Sequence, residues 1–170
     1  IVDATTFQLI GAEALMRFSM PSGEQEGEME RISPVEFIPL LEQTGLIIPA
    51  GKWMLQQSVA VCKKWQREIP HFRMNINLSY IQVMKSNALD EILNIIRYYG
   101  IAAGNVGIEL TESGYLDSKH FKKLWNGLKE NGVQVILDDF GTGYSNLHCL
   151  GDLEPNYIKI DRSFTVKALH

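Results

Sequence analysis

The chain has 170 residues, of which 45% are hydrophobic and 21% are charged, a composition typical of one globular domain with a hydrophobic core. Its formal net charge of -4 gives no general attraction for a nucleic-acid backbone or an anionic membrane, so no polymeric nucleic acid is expected as a partner. The two cysteines lack the spacing of a zinc site or a disulfide framework, and no apolar segment approaches the roughly 18 residues of a membrane span. We therefore expect a reducing, cytoplasmic location.

The N-terminal part of the chain predicts a strand followed by a loop. Alternation over residues 7–18 indicates a strand, whose most conspicuous polar residues are Glu13 and Arg17. One face of this strand would carry Leu9, Gly11, Glu13, Leu15 and Arg17. Residues 21–30 are polar and acidic, and they predict a solvated loop.

Two helices are predicted next. Ser33, a proline and Glu36 form the pattern of a capping box at a helix N-terminus, and this helix is expected to end at Gly45. A second helix is expected over residues 50–68, where apolar residues recur at helical spacing. Cys62 belongs to this apolar set and is therefore expected in the core.

The rest of the chain alternates between strands and helices. Strands are predicted at residues 72–79, 105–112, 133–138 and 157–161, and helices at residues 88–99 and 117–131. This alternation predicts an α/β fold with parallel strands joined by helical crossovers. Each strand has one polar residue on its second face near the C-terminal end, namely Glu13, Asn77, Glu109, Asp138 or Lys159. One polar group per strand favours a (β/α)8 barrel of the triosephosphate isomerase type over an open sheet. Asn75 shares a face with Asn77, and both asparagines need hydrogen-bond partners.

Asp138 and Asp139 end a strand directly before a glycine-containing loop. Adjacent carboxylates repel each other unless a cation or hydrogen bonds hold them, and such oxygen ligands suit Mg²⁺ or Mn²⁺. Two ions at the paired aspartates would promote phosphoester hydrolysis, with Lys159 orienting the water or offsetting developing charge. Arg17 would hold a substrate phosphate. Two simpler interpretations remain open, in which the aspartates only begin a turn and Lys159 only pairs with Asp161.

Five motifs occur along the chain in a fixed order. They are EAL at residues 13–15, NLS at 77–79, ELTES at 109–113, DDFGTGYSNL at 138–147 and KID at 159–161. Together they resemble the EAL domain of cyclic di-GMP phosphodiesterases, and the resemblance covers nearly the whole chain. It implies a modified barrel with one antiparallel strand, which hydrolyses cyclic di-GMP to linear pGpG with Mg²⁺ or Mn²⁺ in bacterial second-messenger signalling.

The resemblance also implies roles for individual residues. The metal ligands would be Glu13, Asn77, Glu109 and Asp138, with Asp139 serving a second ion. Lys159 would be the catalytic lysine, and Glu112 would steady the loop over residues 140–147. Arg17 and Leu15 would contact the substrate. The family further implies a homodimer formed through the region of that loop, and it is compatible with additional sensor or GGDEF domains in the same polypeptide.

The chain departs from the family pattern after Lys159. The family has a further glutamate and a glutamine on later strands, so we expect residues 1–170 to be one EAL-like domain that lacks its last two strand-helix units and is inactive alone. One rival hypothesis is a module that binds cyclic di-GMP or a partner protein without cutting, although the ligands present here are intact. Another is a different metal-dependent barrel enzyme in which Lys159 abstracts a proton.

Overall fold

The structure is a computed structural model, and it describes residues 1–22, 29–111, 118–141 and 147–167. The strands are β1 (Gly11–Ala14), β2 (Phe18–Pro21), β3 (Met29–Ile32), β4 (Arg73–Asn77), β5 (Val106–Thr111), β6 (Gln134–Phe140) and β7 (Tyr157–Ile160). The helices are α1 (Pro34–Thr44), α2 (Ile47–Trp65), α3 (Tyr80–Lys85), α4 (Ala88–Tyr99), α5 (Ser118–Glu130), α6 (Leu147–Leu153) and α7 (Arg162–Lys167). None of the helices in these ranges is long and apolar enough to cross a lipid bilayer.

Five strands form one parallel sheet in the order β1-β4-β5-β6-β7. Helices connect its successive strands from β4 onward, as expected for parallel neighbours. β2 and β3 form a separate antiparallel pair, and an antiparallel bridge joins Val2 to Leu9 beside β1. The curled sheet is an incomplete barrel, which confirms the predicted α/β architecture.

The hydrophobic core lies between the sheet and helices α2, α4 and α5. Val106, Ile108 and Leu110 alternate along β5 and are buried in this core, so the residues between them face the barrel interior. Trp125 of α5 is fully buried and donates its indole N–H to the Leu153 carbonyl at 2.7 Å. Cys62 is also fully buried, which confirms its predicted place in the core.

The strand predicted over residues 7–18 is wrong in its length. β1 pairs with β4 only over Gly11–Ala14, so Leu15 and Arg17 lie beyond the strand and are exposed. Alternating sequence can continue through extended chain that has no ladder partner, which is why the pattern overran the strand. The loop predicted over residues 21–30 is wrong at both ends, because β2 ends at Pro21 and β3 begins at Met29. Residues 23–28 lie outside the described part of the chain.

The helix predictions are largely confirmed, with differences at the N-termini. α1 begins with a proline and is followed by Gly45 at φ 77°, but the Ser33 side chain makes no capping hydrogen bond. The predicted capping box is therefore wrong, and the first amides of α1 bond to the Ser33 carbonyl instead. α2 is shifted toward the N-terminus relative to residues 50–68. A capping box forms where none was predicted, between Ser79 and Gln82 at the start of α3.

Candidate metal centre and substrate cleft

The structure brings together one side chain from each strand of the parallel sheet. These side chains are Glu13 of β1, Asn77 of β4, Glu109 of β5, Asp138 of β6 and Lys159 of β7. The strands run in the same direction, so their carboxyl ends meet at one edge and the predicted residues converge there. The barrel interior at this edge is therefore polar.

Lys159 is the centre of the cluster. Its Nζ lies 2.7 Å from Glu109 Oε2, 3.2 Å from Asp138 Oδ2 and 3.2 Å from Glu13 Oε2. The Glu109 side chain is fully buried, whereas the Lys159 side chain is 34% exposed. The alternative partner from the sequence, Asp161, accepts a hydrogen bond from the backbone N–H of Ser163. The lysine therefore faces the acidic cluster and holds three strands together through ion pairs.

Two asparagines of β4 support the carboxylates. Asn77 Nδ2 donates to Glu13 Oε1 at 2.8 Å, and Asn75 Nδ2 donates to Glu109 Oε1 at 2.9 Å. The prediction that both asparagines need partners is confirmed. Each amide fixes one oxygen of a glutamate, and Lys159 takes the other oxygen of the same glutamate.

Burial and charge act in opposite directions on the ionisation of the cluster. Burial raises the pKa of Glu109 despite the hydrogen bond from Lys159. Partial burial also acts to raise the pKa of Glu13, but hydrogen bonds from Asn77 and Lys159 outweigh it and the pKa is lowered. Burial alone would lower the pKa of Lys159, yet Glu109 and Asp138 raise it well above its usual value. Lys159 is therefore a permanent cation at physiological pH.

Asp138 and Asp139 lie in an irregular part of β6. The pairing of β6 with β7 shifts between Leu137 and Phe140, and Asp139 has a positive φ of 53°, a conformation that aspartate tolerates better than most residues. The backbone N–H of Asp139 donates to Asp138 Oδ1 at 2.9 Å. Burial and the adjacent Asp138 charge raise the pKa of Asp139. The paired aspartates thus lie in a strand irregularity, and Asp138 joins the cluster through its ion pair with Lys159.

A cleft of about 560 Å³ opens beside the cluster. Asn77 and Asp139 line its polar end, and Leu15 and Arg17 also line it. α1 and α2 contribute an apolar wall formed by Pro34, Val35, Ile38, Pro39, Ile47 and Met54. Arg17 is exposed, and its guanidinium donates to the Met16 carbonyl at 2.8 Å. The two predicted substrate contacts are therefore separate from the carboxylate cluster but belong to the adjoining cleft.

The cluster fits a divalent cation that prefers oxygen ligands. Glu13, Glu109 and Asp138 each present a carboxylate oxygen within 4.8 Å of the others. Around an octahedral Mg²⁺ with Mg–O distances of about 2.1 Å, neighbouring oxygens lie about 3 Å apart and opposite ones about 4.2 Å, so the carboxylates would move inward on binding an ion. Three carboxylates around one ammonium group also leave an excess of two negative charges when all are ionised. Both the spacing and the charge suit Mg²⁺ or Mn²⁺.

The predicted site and the described site differ in two groups of residues. The first group was predicted but lies outside the described part of the chain, and the second lies at the described site but was not predicted to belong to it. Glu112 and residues 142–146 of the loop belong to the first group. Asn75 and Glu42 belong to the second group, since Asn75 binds Glu109 and Glu42 accepts a hydrogen bond from Ser79 beside the cleft. The alternation of residues 72–79 placed Asn75 on the correct face, but it gave no sign that Glu109 was its partner.

Comparison with known proteins identifies the family of this chain. The EAL domain family model matches residues 1–170. The chain is 36% identical to cyclic di-GMP phosphodiesterase PA2567 of Pseudomonas aeruginosa and 34% identical to probable cyclic di-GMP phosphodiesterase PdeB of Escherichia coli. Each match covers 96% of this chain, which spans 27% and 31% of those relatives. The solved PaMucR phosphodiesterase in complex with c-di-GMP superposes with a TM-score of 0.88 at 31% identity, over 99% of this chain and 67% of that one. The chain therefore belongs to the EAL domain family.

Proposed function

We propose that this protein is a metal-dependent phosphodiesterase that hydrolyses cyclic di-GMP to linear pGpG in bacterial second-messenger signalling. The convergence of Glu13, Glu109 and Asp138 around Lys159, beside a cleft, supports this proposal most directly. Membership of the EAL family and relatives named as cyclic di-GMP phosphodiesterases point to the same substrate.

Glu13, Glu109 and Asp138 would hold Mg²⁺ or Mn²⁺, and Asn77 would add its amide oxygen. Asn77 can do so while its Nδ2 holds Glu13, because the two ends of the amide act independently. Asp139, which lines the cleft, would serve a second ion. Divalent ions in such sites supply an activated water nucleophile and stabilise charge at phosphorus.

The remaining residues would act on the substrate. Arg17 has an exposed guanidinium in the cleft, which suits bidentate binding of a phosphate. Leu15 and the apolar wall from α1 would contact a base. Lys159 would orient the attacking water or offset charge in the transition state, since its ammonium group lies among the ligands. Glu112 would steady the loop over residues 140–147.

Several wider properties follow from the family resemblance. We infer a single EAL domain over residues 1–170, a cytoplasmic location, homodimerisation through the region of residues 140–147, and compatibility with sensor or GGDEF domains in the same polypeptide. Sedimentation of the purified protein tests the dimer.

Product analysis tests the enzymatic function. The domain, in a polypeptide long enough to complete the barrel, is incubated with cyclic di-GMP and Mg²⁺ or Mn²⁺, and the nucleotides are separated by chromatography. We expect pGpG, and EDTA should prevent its formation. Glu109→Gln should abolish the product. Glu91→Gln is the matched control, because Glu91 pairs with Lys52 at 3.9 Å, outside the Lys159 cluster. Binding of cyclic di-GMP without any product would refute hydrolysis and identify a binding module.

A further inference from the structure

Asn75 lies two residues before Asn77 on β4, and its ladder partner on β1 is Glu13. It is 5% exposed, and its ladder partner on β5 is Gly107. Its Nδ2 donates to Glu109 Oε1, while Glu109 Oε2 accepts from Lys159. The two oxygens of this buried carboxylate therefore accept hydrogen bonds from two different donors, Asn75 on β4 and Lys159 on β7.

The surroundings of Asn75 are shaped to let its amide reach Glu109. Gly107 has no side chain, and a Cβ at that position would lie 2.7 Å from Asn75 Oδ1 and 2.7 Å from Ile136 Cδ1. Any side chain on Gly107 would thus displace the amide or its apolar neighbour. Gly107 on β5 therefore leaves the space that the Asn75 amide on β4 occupies.

Apart from its bond to Glu109, the orientation of the Asn75 amide is unfavourable in the core. Among the residues that the structure describes, the buried Oδ1 of Asn75 has no hydrogen-bond partner. The reverse orientation would place that oxygen against the Glu109 carboxylate, where two acceptors repel. A leucine would fill a similar volume without an unpaired acceptor, so packing alone does not account for an asparagine here.

We propose that Asn75 is a positioning residue that fixes the metal ligand Glu109, by holding Oε1 so that Oε2 is presented to the centre of the cluster. The proposal rests on the metal-binding part of the proposed function, and not on the hydrolysis of a particular substrate. Residues that orient metal ligands in this way typically contribute about 10- to 100-fold to metal affinity.

Calorimetric titration with Mn²⁺ tests the proposal without any measurement of activity. Asn75→Leu keeps the approximate shape but removes the donor, and it is expected to weaken Mn²⁺ binding about tenfold or more. Ile76→Val is the matched control, because Ile76 is the next residue on β4 and is buried in the core on the opposite face. The control should lose some thermal stability and keep wild-type affinity. Equal Mn²⁺ affinity of wild type and Asn75→Leu would overturn the proposal.

Gly107→Ala tests the contact between Asn75 and Glu109 from the neighbouring strand β5. It should weaken Mn²⁺ binding by a similar factor, and its combination with Asn75→Leu should cause little additional loss, because both changes remove one interaction. Additive losses would count against a shared contact. If Asn75→Leu does not unfold cooperatively, Asn75→Ser replaces it with the same expectation.

Wild-type protein that binds Mn²⁺ but produces no pGpG would refute the proposed function and leave this inference standing, whereas absence of Mn²⁺ binding would overturn both.

Discussion

Replacement of Lys159 by methionine tests whether the lysine stabilises the metal-free site. Its ammonium group contacts three carboxylates, and the Glu109 side chain beneath it is fully buried. Removing one partner of a buried ion pair costs about 3–5 kcal/mol. Because the Lys159 side chain is 34% exposed, solvent reduces this cost, and we expect a loss of about 2 kcal/mol. For a chain of this size, that corresponds to a decrease of about 6 °C in Tm.

Thermal unfolding in excess EDTA measures this loss, and pH and metal give two further checks. Burial raises the pKa of Glu109, so as the pH falls this carboxyl becomes neutral earlier than an ordinary glutamate and then no longer needs a counter-charge. The Tm difference between the variant and wild type should therefore be largest near pH 7 and smaller at lower pH. Mn²⁺ should raise the Tm of the variant more than that of wild type, because the ion replaces the lost positive charge.

A surface lysine provides the matched control. Lys52 is 50% exposed and pairs with Glu91 at 3.9 Å, so Lys52→Met should change stability by less than about 1 kcal/mol. The reasoning fails if Lys159→Met unfolds at the wild-type temperature in EDTA, or if its loss of stability grows as the pH falls. Either result would mean that the carboxylates are balanced by something other than Lys159.

Three other changes test separate parts of the site and core. Asp138→Asn should abolish hydrolysis and leave the fold intact, because the amide keeps the shape without the charge that holds a cation, and wild-type turnover would contradict this. Arg17→Ala should raise KM about tenfold at unchanged stability, and an unaltered KM would remove Arg17 from the substrate site. In a Cys149→Ser background, Cys62 should resist thiol reagents until the protein unfolds, because burial raises its pKa to about 11. The folded state therefore keeps this proton longer than the unfolded chain, so stability should decrease from about pH 9 to about pH 11, and rapid labelling of native protein would disprove the burial.

The convergence of the site was predictable from a two-residue period and one rule of parallel sheets. Glu109 alternates with buried core residues on β5, so its position on the inner face follows from the sequence alone. Parallel strands place their carboxyl ends at one edge, which brings Glu13 and Lys159 into contact although they are far apart in sequence. Neither inference requires knowledge of individual contacts, which explains why the sequence alone was enough to predict this convergence.

The features that were not predictable depend on which residues pair with each other in the folded chain. Strict alternation places Asp138 and Asp139 on opposite faces, whereas the register shift and the positive φ of Asp139 redirect the chain at that point. The Ser-x-x-Glu pattern at Ser33 and the Ser-x-x-Gln pattern at Ser79 look alike, yet only the second forms a capping box. There Gln82 is held in place by packing against Gly51, a tertiary contact that no local pattern contains.

The metal-free cluster explains why the stabilising contribution of Lys159 should be separable from its proposed role in hydrolysis. Glu13, Glu109 and Asp138 repel one another, and the Lys159 ammonium group on β7 forms an ion pair with each of them. A divalent ion that binds the same oxygens would balance their charge and free the lysine for the water or the phosphate. Lys159→Met should therefore reduce stability mainly without metal and reduce turnover mainly with it. A lysine that only stabilised the fold would show the first effect alone, and its turnover deficit would disappear once Mn²⁺ had restored the Tm.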